Sequence, residues 1–171
     1  MLFRSGKSFF LEEAWTTSGQ LQFYTDAAKS KGYGIVFGSH WAYGEWPKNW
    51  KNERDISFLE FFPIVAGLSL WCHHLRSKKV LFMTDNESVV HVINKQTSRD
   101  PYLLSLIRKM VLICLRNNIL FRAKHIPGVQ NGLADSLSRL QVNNFKGMYP
   151  GMDRVPTSLP DHLRPENWET P

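Results

Sequence analysis

The chain has 171 residues, of which 43% are hydrophobic and 21% are charged, and this balance excludes a wholly disordered or collagen-like protein. Its formal net charge of +6 predicts a polyanionic partner, most often a nucleic acid and less often a membrane surface. Two cysteines, Cys72 and Cys114, are too few for a disulfide framework or a multi-cysteine zinc site. We therefore expect an intracellular protein.

The sequence predicts neither a membrane span nor a secretory signal. The longest apolar run, 58–71, is shorter than a bilayer span and contains Glu60. The N-terminus carries acids where a signal peptide has its apolar stretch.

The length favours one compact domain with short extensions. Residues 1–20 show no clear period and are expected to be a lead-in segment, and periodic structure is expected over 21–140. The stretch 141–171 contains five of the nine prolines and no hydrophobic period. It is therefore expected to be a tail or linker without a core of its own.

The sequence pattern in the first half of the domain predicts three strands and a long helix. Residues 21–25, 33–37 and 40–46 are rich in aromatic and β-branched residues and suggest an antiparallel meander. A helix is predicted from Ser57 to about residue 75, with Ser57 and Glu60 forming a capping box. Pro63 predicts a bend or a late start, because proline removes a helix donor.

The second half alternates strands and helices. Strands are predicted at 80–84 and 119–123, helices at 86–94, from Pro101 onwards and at 133–140, and a turn at 125–128. Alternation of this kind implies parallel pairing through right-handed crossovers. The prediction is an α/β fold with a five-stranded mixed sheet, an antiparallel meander followed by parallel strands, and helices on both faces.

Four acids lie where such a sheet places ligands. Asp26 and Asp85 each directly follow a predicted strand, and the carboxyl ends of parallel neighbours share one edge. Glu60 lies on the inward stripe of the long helix, and Asp135 begins the last helix. Carboxylates gathered at one edge repel one another unless a cation neutralises them. Their oxygen ligands suit two Mg²⁺ ions, or Mn²⁺, about 4 Å apart, as in phosphodiester hydrolysis.

Each acid also has a purely structural interpretation. Asp26 is suited to ending a strand, Asp85 to capping a helix, Glu60 to the capping box and Asp135 to the positive end of a helix. Taken one at a time, these alternatives are favoured over catalysis.

The segments TDAA, LEFF, TDN, HIPG and NGLADSLSR occur in this order, and together they resemble the ribonuclease H domains of retroelement polyproteins. The resemblance is closest to DIRS-type elements and extends to gypsy-type elements over about residues 21–140. It implies a ribonuclease H-like fold, two metal ions held by Asp26, Glu60, Asp85 and Asp135, and a His125 that helps to move protons or release product. It also implies an RNA–DNA hybrid as substrate and a reverse transcriptase domain as partner in the same polyprotein.

Further nucleic-acid contacts are weaker predictions. Trp46 and Lys48 belong to a segment of interleaved aromatic and basic residues suited to stacking and phosphate contact, although strand packing explains its aromatic residues at least as well. Asn86 and Gln96 are candidates for contacts in the minor groove of a hybrid, and Asn86 is equally suited to opening a helix.

The expected function is hydrolysis of the RNA strand of RNA–DNA hybrids during retrotransposon reverse transcription. One alternative is a non-catalytic nucleic-acid-binding or scaffold domain of a retroelement polyprotein, including a domesticated one. The other is an integrase-like DNA nuclease of the same fold, a class that lacks an acid equivalent to Glu60.

Overall fold

The computed structural model describes residues 11–127 and 132–168, which contain six strands. The first four are β1 (Trp15–Thr17), β2 (Phe23–Ala27), β3 (Gly32–Phe37) and β4 (His40–Glu45). β2, β3 and β4 form an antiparallel sheet in that order. Its register pairs Asp26 with Gly34 and Val36 with Trp41, and the antiparallel meander predicted from the sequence is confirmed.

The remaining strands form a parallel sheet. β5 (Lys79–Thr84) lies at its centre, with β1 on one side and β6 (Leu120–His125) on the other. Thr17 pairs with Leu81, and Thr84 pairs with His125.

The strands therefore form two three-stranded sheets rather than one five-stranded sheet. β5 pairs with β1 and β6, and it is not a neighbour of β2. The chain then leaves β5 at Ser18, whose hydroxyl accepts a hydrogen bond from the Met83 amide at 3.1 Å. A mainly apolar cavity of about 320 Å³ separates β2 from β5.

Helices cover both faces of the antiparallel sheet. Gly67 of α2 faces Phe23 and Ile35, whereas α5 lies against Gly34 on the opposite face. Predicted and observed helices agree except for two short ones, at 48–53 and 142–148, that the sequence did not predict. The helices are α1 (Lys48–Glu53), α2 (Ile56–Trp71), α3 (Glu87–Lys95), α4 (Pro101–Arg116), α5 (Gly132–Ser138) and α6 (Val142–Met148).

α2 begins one residue earlier than predicted and has a different cap. Asp55 is its N-cap and accepts from the Ser57 amide at 3.3 Å, so the predicted capping box of Ser57 and Glu60 was wrong. Asp55 takes the capping position because it lies just outside the first helical turn. The helix runs through Pro63 without the predicted late start.

With the 3₁₀ turn that follows it, α2 forms a 19-residue helical stretch, Ile56–His74. Its mean hydropathy of 1.4 makes it long and apolar enough to cross a bilayer, although 67% of it is buried inside the protein. The helix extends past the apolar run 58–71 at both ends, so the length of that run alone does not decide whether the helix could cross a bilayer. Its burial is that of a core helix between the sheet and α4.

Segments outside residues 21–140 also contribute to the fold. β1 lies in the expected lead-in. In the expected tail, Leu159 and Leu163 are buried in the main core, and the Trp168 ring packs edge-on against Phe62. Side chains of the expected tail therefore complete the core of the rest of the chain.

Candidate active site

Three of the four predicted acids line one polar cavity. Asp26, Glu60 and Asp85 surround a space of about 80 Å³ at the ends of β2 and β5. The two strands are not hydrogen-bonded to each other, yet both deliver a carboxylate to the same place. The rest of the wall comes from Thr25, Ile64, Met83 and Thr84.

Asp26 is placed by close packing of α5 against β3. Its register partner Gly34 has no side chain, and a Cβ there would lie 2.6 Å from the Ala134 carbonyl oxygen and from the Leu137 Cβ. This close approach brings the fully buried Ser138 to Asp26, and its hydroxyl donates to the Asp26 carboxylate at 2.5 Å.

Glu60 reaches the cavity from α2. Gly67, two turns further along that helix, lets it lie close to the sheet, because a Cβ there would lie 2.7 Å from the Phe23 ring. The Asn86 side chain lies beside the Glu60 carboxylate, where it lowers the pKa of that group. Asn86 also caps α3 by accepting from the Val89 amide at 3.0 Å, so it fixes a helix and an acid together.

Asp85 is exposed and lies beside His125. The His125 ring nitrogen Nε2 is 3.2 Å from the Asp85 carbonyl oxygen, and Nδ1 is 3.9 Å from the Glu87 carboxylate. His125 ends β6 rather than starting a turn as predicted. The structure thus places the predicted histidine within reach of the cavity's rim.

Asp135 stands apart from the other three acids. It lies on α5, half exposed, and its Oδ1 is 3.1 Å from Arg139 Nε. It does not line the cavity, but it is near enough for its charge to raise the pKa of Asp26. The predicted four-acid cluster is therefore three acids around one space with the fourth beside it.

Burial and mutual repulsion both act on the cavity acids. Burial raises the pKa of Asp26, the Ser138 hydrogen bond opposes this, and the Asp135 charge adds to it. Burial also raises the pKa of Glu60, partly offset by Asn86, and the charges of Asp85 and Asp26 raise it further. Both carboxyls therefore favour the protonated form more than free side chains do, and a bound cation would reverse this preference.

The donor set suits a hard divalent cation, since it consists of carboxylate oxygens in a small polar space. Among the described residues, however, no three His, Cys, Asp or Glu side chains are drawn together tightly enough to form a metal centre. Ser138 holds Asp26 and Asn86 holds Glu60. The chemistry of the ligands fits, and the carboxylates line the wall of the space rather than converging on one point in it.

The residues predicted to contact nucleic acid differ in their exposure. Trp46 is only 2% exposed and its Nε1 donates to the Ala28 carbonyl. Its predicted role in stacking was wrong, because it packs in the aromatic core against Tyr33 and Trp50. Lys48 and Gln96 are exposed, at the start of α1 and the end of α3.

Two residues of the site were missed by sequence reasoning. Ser138 lies within the LSR segment of the last motif, and nothing in the sequence says that its hydroxyl meets Asp26. Gly34 follows Tyr33 in a predicted strand, where an isolated glycine is a signal for close backbone approach. The sequence therefore contained a signal for the close approach of α5 to this strand.

No protein-family model matches the sequence, and no curated protein matches it. Among solved structures, the chain is similar to an RNase H1 from Halobacterium salinarum, with 14% identity, a TM-score of 0.48 and coverage of 71% of this chain and 95% of that one. It is also similar to the N-terminal RNase H domain of a Mycobacterium tuberculosis protein, with 16% identity, a TM-score of 0.48 and coverage of 74% and 94%. A compost-derived RNase H1 solved with an RNA/DNA hybrid has 20% identity, a TM-score of 0.47 and coverage of 67% and 89%.

The strand directions and the flanking helices confirm the α/β fold class, with antiparallel and parallel strands, that the sequence predicted. The chemistry of the candidate site follows from its own residues.

Proposed function

We propose that this chain is an endonuclease that hydrolyses the RNA strand of RNA–DNA hybrids with the help of two divalent cations, Mg²⁺ or Mn²⁺. The observation that carries the proposal is the shared cavity of Asp26, Glu60 and Asp85. Three acids from distant parts of the chain in one small space are costly for stability. Such a cost is typical of a site where a cation is needed for function.

In this proposal Asp26, Glu60 and Asp85 hold the cations, and Asp135 contributes from beside the cavity. The bound cations would activate a water molecule and stabilise the charge that develops on the leaving 3′ oxygen. Ser138 and Asn86 orient two of the carboxylates. His125 lies at the rim, where its ring is positioned to exchange protons with solvent or to assist product release.

The biological setting is part of the same proposal. The motif order from TDAA to NGLADSLSR supports an origin in a retroelement polyprotein, DIRS-type or gypsy-type, with a reverse transcriptase domain as partner. An intracellular location fits this setting. The net charge of +6 supports a nucleic acid as the partner molecule.

The test is cleavage by the full chain of a hybrid whose RNA strand is end-labelled. We expect products with a 3′ hydroxyl and a 5′ phosphate in the presence of Mg²⁺, and no cleavage in the presence of a chelator. RNA alone and double-stranded DNA of the same sequence are the matched substrates, and neither should be cut at a comparable rate. Equal cleavage of double-stranded DNA would contradict the proposal and favour an integrase-like nuclease.

A second candidate is a non-catalytic nucleic-acid-binding domain. It is favoured by one observation, that no three potential ligands in the described residues are gathered into a metal centre. The same assay separates the two functions. Hybrid binding without cleavage at any concentration of Mg²⁺ or Mn²⁺ would support the binding domain.

A further inference from the structure

The residues that the structure describes leave one side of the parallel sheet unburied. On the inner side of β5 and β6, Val80, Phe82, Phe121 and Ala123 are all buried. On the outer side, none of the alternating residues of β1, β5 and β6 is buried. We call this side the basic sheet face, and it is marked by Trp15, Lys79, Leu81, Leu120, Arg122 and Lys124.

The outward positions of the three strands carry positive charge and no acid. Lys79, Arg122 and Lys124 supply three cations, and none of the outward positions of the three strands is Asp or Glu. The Lys79 ammonium and the Arg122 guanidinium lie 5.2 and 5.4 Å from the centre of the Trp15 ring. Contacts of this kind limit the motion of both side chains and hold two positive charges side by side.

The face extends to the candidate site. Lys124 is the register partner of Met83, and Met83 lines the cavity that contains the three carboxylates. A nucleic-acid strand that leaves the cavity along this face would therefore contact Lys124 first, then Arg122, and then Lys79 beside Trp15.

We infer that the basic sheet face binds the phosphate backbone of a nucleic acid that extends from the candidate site. This inference rests on the proposed function for the identity of the polyanion. Charge complementarity favours a nucleic acid over a protein partner, because three cations without an acid match a uniform row of phosphates. Contacts to phosphates are independent of base sequence, so the face would add affinity and set direction without adding sequence preference.

The test measures binding of the full chain to a short RNA–DNA hybrid in the presence of a chelator, at several salt concentrations, by fluorescence anisotropy. The variant is Arg122→Gln/Lys124→Gln. The matched control is Arg108→Gln/Arg116→Gln, which removes two exposed charges from α4. Each lost phosphate contact lowers the slope of log affinity against log salt by about 0.9, so we expect a decrease of about 1.8 in the variant and none in the control.

The possible results separate this inference from the proposed function. Equal slopes for the wild type and the Arg122→Gln/Lys124→Gln variant would overturn the inference, even if the wild type cleaves hybrids in Mg²⁺. A reduced slope in that variant alone would support the inference, even if the wild type fails to cleave. A wild type that binds no hybrid at low salt would overturn it and leave a protein partner for the face.

Discussion

The Ser138 hydroxyl donates to the Asp26 carboxylate at 2.5 Å, across a sequence separation of 112 residues. This bond joins α5 to β2. Ser138 is fully buried, and Oγ also lies 2.9 Å from the Asp135 carbonyl oxygen. One side chain therefore connects two of the four predicted acids and determines how Asp26 enters the cavity.

Ser138→Ala should lower the rate of hybrid cleavage by more than its loss of folding stability explains. Loss of a hydrogen bond to a charged group costs about 1.5–3 kcal/mol, and the Asp26 carboxylate would lose its orientation. We expect a decrease of about tenfold or more in the kcat of hybrid cleavage, typical of lost support to a ligand, with little change in KM. Steady-state kinetics and urea denaturation measure the two effects.

The control for this variant is Ser136→Ala on the same helix. Ser136 is also buried, and its hydroxyl accepts a hydrogen bond from the Asn144 side chain at 3.5 Å rather than contacting an acid of the site. It should lower stability by about 1 kcal/mol and leave kcat unchanged. Equal losses of kcat in both variants would mean that Ser138 acts only through the stability of the helix.

Gly34→Ala should separate α5 from the sheet. The added Cβ would lie 2.6 Å from backbone and side-chain atoms of α5, and strain of this kind in a packed core costs about 1–3 kcal/mol. Urea denaturation should show this loss, and cleavage should decrease because Ser138 moves away from Asp26.

Gly147→Ala is the matched control for Gly34→Ala. It lies in α6 with nothing within 4 Å of the added Cβ, so the variant should be neutral or more stable by about 0.5–1 kcal/mol, as expected for Gly to Ala in a helix. A Gly34→Ala protein as stable and active as the wild type would contradict the close packing described here.

Asp26→Asn should make the protein more stable at neutral pH. Burial raises the pKa of Asp26 in the folded state above its value in the unfolded chain, about 3.9. Between these two values the folded state binds more protons than the unfolded state, so stability decreases as pH rises through this window. About one unit below pH 4, the Asp26 carboxyl is protonated in both the folded and the unfolded state. The loss of stability caused by burying its charge then disappears.

Thermal denaturation at a series of pH values, in a chelator, measures this effect. The Asn variant should have the higher melting temperature at pH 7, and the difference should shrink as the pH falls towards 4. A variant that is less stable than the wild type at pH 7, with a difference independent of pH, would contradict the burial of a charged Asp26.

We propose that the folding unit includes the segment after residue 140. Leu163 is 1% exposed and belongs to the main core, so Leu163→Ala should lower the free energy of unfolding by about 2–5 kcal/mol. Val155 in the same segment is 72% exposed. Val155→Ala should therefore change the free energy of unfolding by less than about 0.5 kcal/mol. Equal stability of the two variants in urea would mean that the tail is not part of the folding unit.

The sequence predicted the order of strands and helices well, because that order depends on local periodicity. The strands at 33–37 and 80–84 and the helix after Asp100 lie close to their predicted positions. The sequence also allowed the prediction that Asp26 and Asp85 lie close together. Each residue follows a predicted strand, and the carboxyl ends of parallel strands lie at the same edge of a sheet.

Other features depend on contacts between distant segments, which local patterns do not encode. β1 is three residues long, too short for its period to be recognised, and its pairing with β5 divides the sheet. Trp46 has the composition of a binding residue, and only its packing against Phe62 and Trp50 shows that it belongs to the core. The hydrogen bond from Ser138 to Asp26 likewise required the fold to be known.

The most direct test of the whole account is the rate of hybrid cleavage by Asp85→Asn in Mg²⁺, compared with Asp153→Asn. Asp85 lines the cavity, whereas Asp153 pairs with His40 at 2.7 Å and does not line it. A ligand to catalytic cations contributes several kcal/mol to the transition state, so we predict a decrease of about a hundredfold or more for Asp85→Asn. We predict a wild-type rate for Asp153→Asn, and an unchanged rate for Asp85→Asn would contradict the proposal that these carboxylates perform the chemistry.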